Sequence, residues 1–225
     1  MVGLREWVDA GDAMAVRLLR GVARRARWAY ERMAHPSRSR AALRRLRQRP
    51  VPQSVLVVCH GNICRSPYAA ALLQRGLGPV VGTRVRVTSA GFVLPGRRCP
   101  ELAVEVAAAR GLDLSGHRSQ VLTPPEVAAA DLILVMDTTQ RWGVRALFGR
   151  SSDDVVLLGD LDPKPIETRE IRDPFDQTKE VFELSYSRIE RCVGELVRAI
   201  SIAAQSVSSP GTPPDSERGR REQTA

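Results

Sequence analysis

The chain has 225 residues, of which 43% are hydrophobic and 26% charged, and carries a net charge of +9. That is enough for one domain of roughly 150 residues with extensions, and no run approaches the roughly 18 apolar residues of a membrane span. The four cysteines, Cys59, Cys64, Cys99 and Cys192, have neither zinc-ligand pairing nor the density of a disulfide framework, which points to a reducing, cytoplasmic setting.

The charge is concentrated at the front. Residues 1–50 hold thirteen Arg, no Lys and four acidic residues, whereas the remainder carries 21 basic and 21 acidic residues. A basic arm on a neutral domain is not the footprint of a nucleic-acid-binding domain, and no nucleic-acid partner is expected. Met14, Leu18, Val22, Ala26, Ala29 and Met33 recur every three or four positions, with Arg17, Arg20, Arg24 and Arg27 largely opposite, which predicts a basic amphipathic helix over 13–33. Pro36, Ser37 and Ser39 are expected to interrupt it, a shorter Arg-rich piece follows at 41–47, and Pro50 and Pro52 close the arm. With Trp7, Trp28 and Tyr30 on it, such an arm has three readings that the sequence leaves open. It lies on an anionic membrane surface at the inner face, docks on an acidic partner, or is a solvated extension. It lacks the apolar centre of a secretory signal, and Glu6, Asp9 and Asp12 argue against a transit peptide.

Beyond Pro50 short apolar runs alternate with helical stretches, the pattern of β-α-β units and a parallel sheet. Strands are predicted over 54–58, 84–88, 132–135 and 155–158. Helices are predicted over 67–77, over 100–110 with Gly111 as its stop, and over 179–204, where Val181, Phe182, Ser185, Ile189, Val193, Leu196 and Ile200 keep a helical stripe. The Ser-, Pro- and charge-rich tail, 205–225, reads as disordered. The chain thus divides into an arm (1–50), a domain (51–204) and a tail.

Between the first strand and first helix lies Val55-Leu-Val-Val-Cys59-His60-Gly61-Asn62-Ile63-Cys64-Arg65-Ser66-Pro67. A tight loop there aims backbone N–H groups and a helix N-terminus at one point, which favours a phosphate dianion. Gly61 and Asn62 suit the turn because both tolerate left-handed angles. A thiol at the mouth of such a loop, beside a guanidinium, is expected to have a depressed pKa and to act as a nucleophile. Arg65 can grip two phosphate oxygens in its planar fork, and the Ser66 hydroxyl can donate to the sulfur as it leaves. A lone cysteine ending a strand is usually structural; Arg-Ser-Pro six residues on, at a helix start, changes that reading. The Walker-type loop fits poorly, since no Gly-Lys-Ser/Thr follows the glycine.

The stretch VLVVCHGNICRSPYAAALL resembles the signature of the low-molecular-weight protein tyrosine phosphatase family. The resemblance extends over 53–200, through Thr88-Ser89-Ala90-Gly91, the Gly111 to Arg118 segment, Asp131 to Asp137 and Asp173-Pro174-Phe175. It implies a four-stranded parallel sheet with helices on both faces and no metal or cofactor. Phosphate transfer to sulfur leaves an oxyanion that needs a proton, and the resemblance makes Asp173 the general acid and later the base, with Phe175 as a flat wall. Asp162-Pro163 is the competing Asp-Pro, in a segment that varies in the family. His60, Ile63 and Cys64 complete the phosphate loop, while Asn62, Ser66, Ser89 and His117 match its supporting network; for His117 a surface histidine in a turn is the alternative. Family members also imply a transient Cys59–Cys64 disulfide under peroxide. Cys99 and Cys192 need no function.

Three relatives share the loop. Arsenate reductases of this fold need further cysteines after the third strand, where this chain has Val135-Met136-Asp137-Thr138. Protein-arginine phosphatases carry Thr where this chain has Ile63, and a bulky apolar side chain disfavours a phosphoguanidinium. Phosphotyrosine is therefore the expected substrate, its ring flanked by Phe175 and Phe92. A non-catalytic phosphate-binding module would be expected to lose the Cys, the Arg or the Asp, and all three are present. Similar bacterial members dephosphorylate membrane-bound tyrosine kinases of polysaccharide export, which makes such a kinase the partner that the resemblance implies.

Overall fold

Val55 to Cys59 are all buried, and so are Leu132 to Val135, because both stretches lie in the middle of one parallel sheet. A computed structural model describes residues 3–81 and 85–208. Strands β1 (Ser54–Cys59), β2 (Arg86–Gly91), β3 (Leu132–Val135) and β4 (Val155–Leu157) run parallel in the order β2-β1-β3-β4. Alternate residues serve opposite faces. Val55, Val57 and Cys59 of β1, with Leu132 and Leu134 of β3, join the core under α2 (Arg65–Val81) and α6 (Lys179–Ser208). Leu56 and Val58, with Ile133 and Val135, pack under α4 (Pro124–Ala129) and α5 (Thr138–Phe148) through Val127 and Val144. The remaining helix, α3 (Glu101–Ala108), packs beside α6.

The chain leaves β1 toward β2 on one side and returns to β3 on the other. Strand order therefore reverses beside the carboxyl end of β1, where open α/β sheets bind ligands. Cys59 is the last residue of that strand.

Several expected boundaries move, each for a physical reason. β2 runs three residues past 88, since Ser89, Ala90 and Gly91 pair with Val57, Val58 and Cys59; such small residues carry little strand signal in sequence. α4, at six residues, is too short for periodicity to mark. α5 is set by its ends, Asp137 accepting from Gln140 N at 2.8 Å and Gly149 in the left-handed region at φ 66. α6 runs on to Ser208, and residues 209–225 of the expected tail lie outside the described residues.

The arm departs most from expectation. Instead of two pieces separated at Pro36, one 46-residue helix, α1 (Gly3–Gln48), passes through the proline and spans about 70 Å. A mid-helix proline removes one backbone bond and costs about 3 kcal/mol in isolation. Here the turns on both sides are held by the domain. His35 Nε2 donates to the Asp162 carbonyl at 2.7 Å, Arg38 bridges Glu31 and lies 4.0 Å from Asp160, Ser39 is buried, and Leu46 joins the main core.

Asp162, the competing Asp-Pro, has a structural place. It is 1% exposed and pairs with Arg191 at 2.8 Å and Arg188 at 3.2 Å. Burial alone would raise its pKa, but the Arg191 hydrogen bonds and the Lys164 N–H hold it below the ordinary carboxylate value.

Candidate active site

The β1–α2 loop is built against the end of β2. His60 accepts from Phe92 N at 2.8 Å, and a Cβ on Gly91 would lie 2.8 Å from His60 O and 2.9 Å from Asn62 N. Only glycine allows that approach. Asn62 sits in the left-handed region at φ 51, and its side chain ties the loop together. Its Nδ2 donates to Ser66 Oγ (2.8 Å) and Ser89 Oγ (2.9 Å), while its Oδ1 accepts from Gln120 N (2.9 Å). Arg97 Nη2 donates to Gly61 O at 3.2 Å.

Cys59 Sγ lies 3.1 Å from Ser66 Oγ. Because Ser66 already accepts from Asn62, its own O–H is free to donate to the sulfur. His117 Nε2 lies 2.8 Å from the Asn62 carbonyl, which can only accept, so this nitrogen carries the proton. Burial, outweighing that hydrogen bond, lowers the His117 pKa and keeps the ring neutral at neutral pH. The surface-histidine alternative gives way to a side chain that braces the loop.

Ile63 and Cys64 face inward and are buried. Burial first, and the neighbouring Cys59 second, push the Cys64 thiol well up, so it stays protonated. Cys99 is pushed up to about 11, mainly by burial and then by Cys59, and Cys192 to about 12 by burial. Tyr186 Oη donates to the Cys64 carbonyl at 3.1 Å and stacks on Tyr68 with ring centroids 3.8 Å apart, bracing the helix start from below.

Arg65 opens α2 with its side chain 4% exposed. Nη1 donates to Ile171 O at 3.0 Å and lies 3.8 Å from Asp137 Oδ2, Nη2 is paired with Asp173 Oδ2, and the buried Nε has no protein partner. The loop bearing Asp173 is fastened at its base, where Ile171 N donates to Met136 O (2.9 Å) and Ser185 Oγ to Arg172 O (3.0 Å). Arg65, Asp173, Asp137 and His60 line one cavity of about 690 Å³. Guanidinium and carboxylate therefore share a cavity that His60, next to Cys59 in the loop, also lines, and a phosphoryl group there could accept hydrogen bonds from the loop's N–H groups and a proton from Asp173.

One expectation about this cavity is adjusted. Phe175 is half exposed on the acid loop, and the apolar wall of the cavity is Phe92, Trp142 and Leu147. Gly91, Arg97, Asp137 and Tyr186 hold or line the site and were not singled out in the sequence. Of these only Asp137 has a local signal, an Asp between a strand and a helix.

Residues 54–206 match the model of the low molecular weight phosphotyrosine protein phosphatase family. A protein of Ralstonia nicotianae named "Probable low molecular weight protein-tyrosine-phosphatase EpsP" is 40% identical over 149 residues, covering 66% of this chain and 96% of that one. The structure of the Erwinia amylovora tyrosine phosphatase AmsI is similar at TM-score 0.60 and 32% identity, covering 68% of this chain and 95% of that one. The YwlE arginine phosphatase of Geobacillus stearothermophilus is similar at TM-score 0.60 and 27% identity, covering 72% and 99%. With this match over most of its length and these relatives, the chain belongs to the low molecular weight phosphotyrosine protein phosphatase family.

Proposed function

We propose that the chain hydrolyses phosphotyrosine in proteins through a phosphocysteine intermediate. The observation that carries this reading is the pairing of Arg65 with Asp173 in a cavity that His60 also lines, at the end of the loop in which Cys59 contacts Ser66. As Arg65 releases Asp173, the freed carboxylate takes up the proton that the Cys59 thiol gives up; Cys59 Sγ then attacks phosphorus as the bond to the phenolic oxygen breaks, and the Asp173 carboxyl gives that oxygen the proton. Arg65, releasing Asp173, takes two equatorial oxygens, and its unpaired Nε supplies a further donor. Water then attacks phosphorus, Asp173 takes the proton, and the thiolate leaves with the help of the Ser66 hydroxyl. Accumulation of phosphocysteine on Cys59 after rapid quenching of the full chain with a phosphotyrosine peptide tests the scheme; phosphate release with no protein-bound phosphate overturns it.

Loop position underlies a second expectation. Gly91→Ala pushes a methyl group into His60 and Asn62, and a shift of about 1 Å in such a site costs about 100-fold in kcat/KM. An unchanged rate on an aryl phosphate, with circular dichroism showing intact folding, would contradict the close approach.

Ile63 bears on the substrate. Buried in the loop, it favours an aryl over a guanidinium phosphate, and we expect kcat/KM on phosphotyrosine peptides to exceed that on phosphoarginine by about 10-fold or more. Ile63→Thr should narrow the ratio. The reverse preference in the unsubstituted chain would move the assignment to phosphoarginine. The partner is then a phosphotyrosine protein, for which a membrane-bound tyrosine kinase of polysaccharide export is the proposed identity, and the place of action is the cytoplasm at the inner face of the membrane. Free cysteines throughout fit that compartment, and Cys64 is the thiol with which an oxidised Cys59 would pair.

A further inference from the structure

Helix α1 presents two different faces. One, through His35, Arg38, Ser39, Ala42, Leu46 and Arg49, meets the domain. At 100° per residue the opposite face is a single line of residues spaced three or four apart. It is apolar in its first half, with Leu19, Val22, Ala26, Ala29 and Met33, and turns basic in its second, with Arg40, Arg44 and Arg47. All eight are exposed; Leu19 is 68% exposed, Val22 63% and Met33 80%. Arg25 and Arg32 flank the apolar half on one side and Tyr30 on the other, all exposed. No acidic residue lies on this line. The one acidic residue between 16 and 50, Glu31, is turned toward Arg38.

We propose that this outward face of α1 lies on an anionic lipid bilayer, with Leu19, Val22, Ala26, Ala29 and Met33 in the acyl boundary and Arg40, Arg44 and Arg47 on the headgroups. Each part of the face has its counterpart there. An apolar strip edged by arginines on one side and by Tyr30 on the other suits a helix lying flat in the interface, since the long side chains reach back to the phosphates while their stems cover apolar surface, and an aromatic ring settles at headgroup level. The basic half continues in line with that strip and needs negative charge opposite it. Because the domain sits on the other side of the helix, the face can meet a flat surface without obstruction. A second copy fits less well: pairing the face with itself brings Arg40, Arg44 and Arg47 against a surface holding no acid. Among the described residues no helix is long and apolar enough to cross a membrane, so the contact is one of lying on the surface. This inference is independent of the phosphatase assignment, because turnover of an aryl phosphate in solution tests the one and vesicle binding the other.

The test is co-sedimentation of the full chain with vesicles of phosphatidylcholine alone or with phosphatidylglycerol added. Two variants are compared, Leu19→Glu/Val22→Glu/Met33→Glu and Arg40→Gln/Arg44→Gln/Arg47→Gln, each checked for folding by its rate on an aryl phosphate. The unsubstituted chain should bind the anionic vesicles and release them at high salt. The arginine variant should bind about 100-fold more weakly, and the Glu variant should fail to bind. Failure of the unsubstituted chain to bind anionic vesicles, equal binding to neutral ones, or full binding by the Glu variant overturns the proposal. Loss of a dimer in the Glu variant, without vesicle binding by the unsubstituted chain, assigns the face to a second copy instead. Binding only to an acidic protein assigns it to that partner.

Discussion

Cys59→Ser is expected to lower hydrolysis of an aryl phosphate by about 10⁴-fold or more, as removal of a covalent nucleophile does elsewhere. A hydroxyl in this position keeps the small volume and the contact with Ser66, but it is a poor nucleophile at neutral pH. The loop geometry does not depend on sulfur: it rests on Asn62 with Ser66 and Ser89, on Gly91 beside His60, and on Tyr186 beneath Cys64. Phosphate binding should therefore survive, since its donors are backbone N–H groups and Arg65. Calorimetric titration with inorganic phosphate beside steady-state rates checks both halves. Residual activity within about 10-fold of the unsubstituted chain would require another nucleophile. Cys64, buried and strongly protonated, is poorly suited to that part.

Asp173→Asn is the second large effect, and its signature is selectivity among leaving groups. An amide cannot give a proton to a departing phenolate, so the rate on phosphotyrosine or phenyl phosphate should fall by about 10² to 10⁴-fold. A substrate whose phenol is already a strong acid needs little proton donation and should lose far less. Plotting log kcat/KM against leaving-group pKa separates the two, the variant showing the steeper slope. Parallel lines would assign Asp173 a binding role and leave the acid to be found elsewhere, with Asp137, in the same cavity, next in line.

Much of the domain was legible because its signals are local. Val55 to Val58 and Leu132 to Val135 are continuous apolar runs, as doubly covered strands must be, and the α6 stripe has unbroken helical spacing. The phosphate loop was legible for a different reason: Cys59, Arg65 and Ser66 lie within eight residues, so their meeting requires no knowledge of the tertiary fold. Asp173 stands 108 residues from Arg65, and only the family resemblance brought it to the site. Gly91 and Tyr186 escaped notice because their roles arise where β2 ends against the loop and where α6 crosses α2. Part of the apolar wall was missed for the same reason: Trp142 and Leu147 reach the cavity through the packing of α5, while of the two expected aromatics Phe92 lines it and Phe175 does not. At Pro36 local propensity pointed to a break, and tertiary contacts of His35, Ser39 and Leu46 overrode it.

The pairing of Arg65 with Asp173 has an effect on what a ligand's affinity reports. Between turnovers the carboxylate serves as a built-in substitute anion, so the deeply buried guanidinium is not left bare when the site is free. An incoming phosphate exchanges with that internal competitor instead of meeting an uncompensated cation, and its measured affinity is the difference between two anions' hold on the same fork. Return of Asp173 to Arg65 as inorganic phosphate departs is expected to ease product release for the same reason.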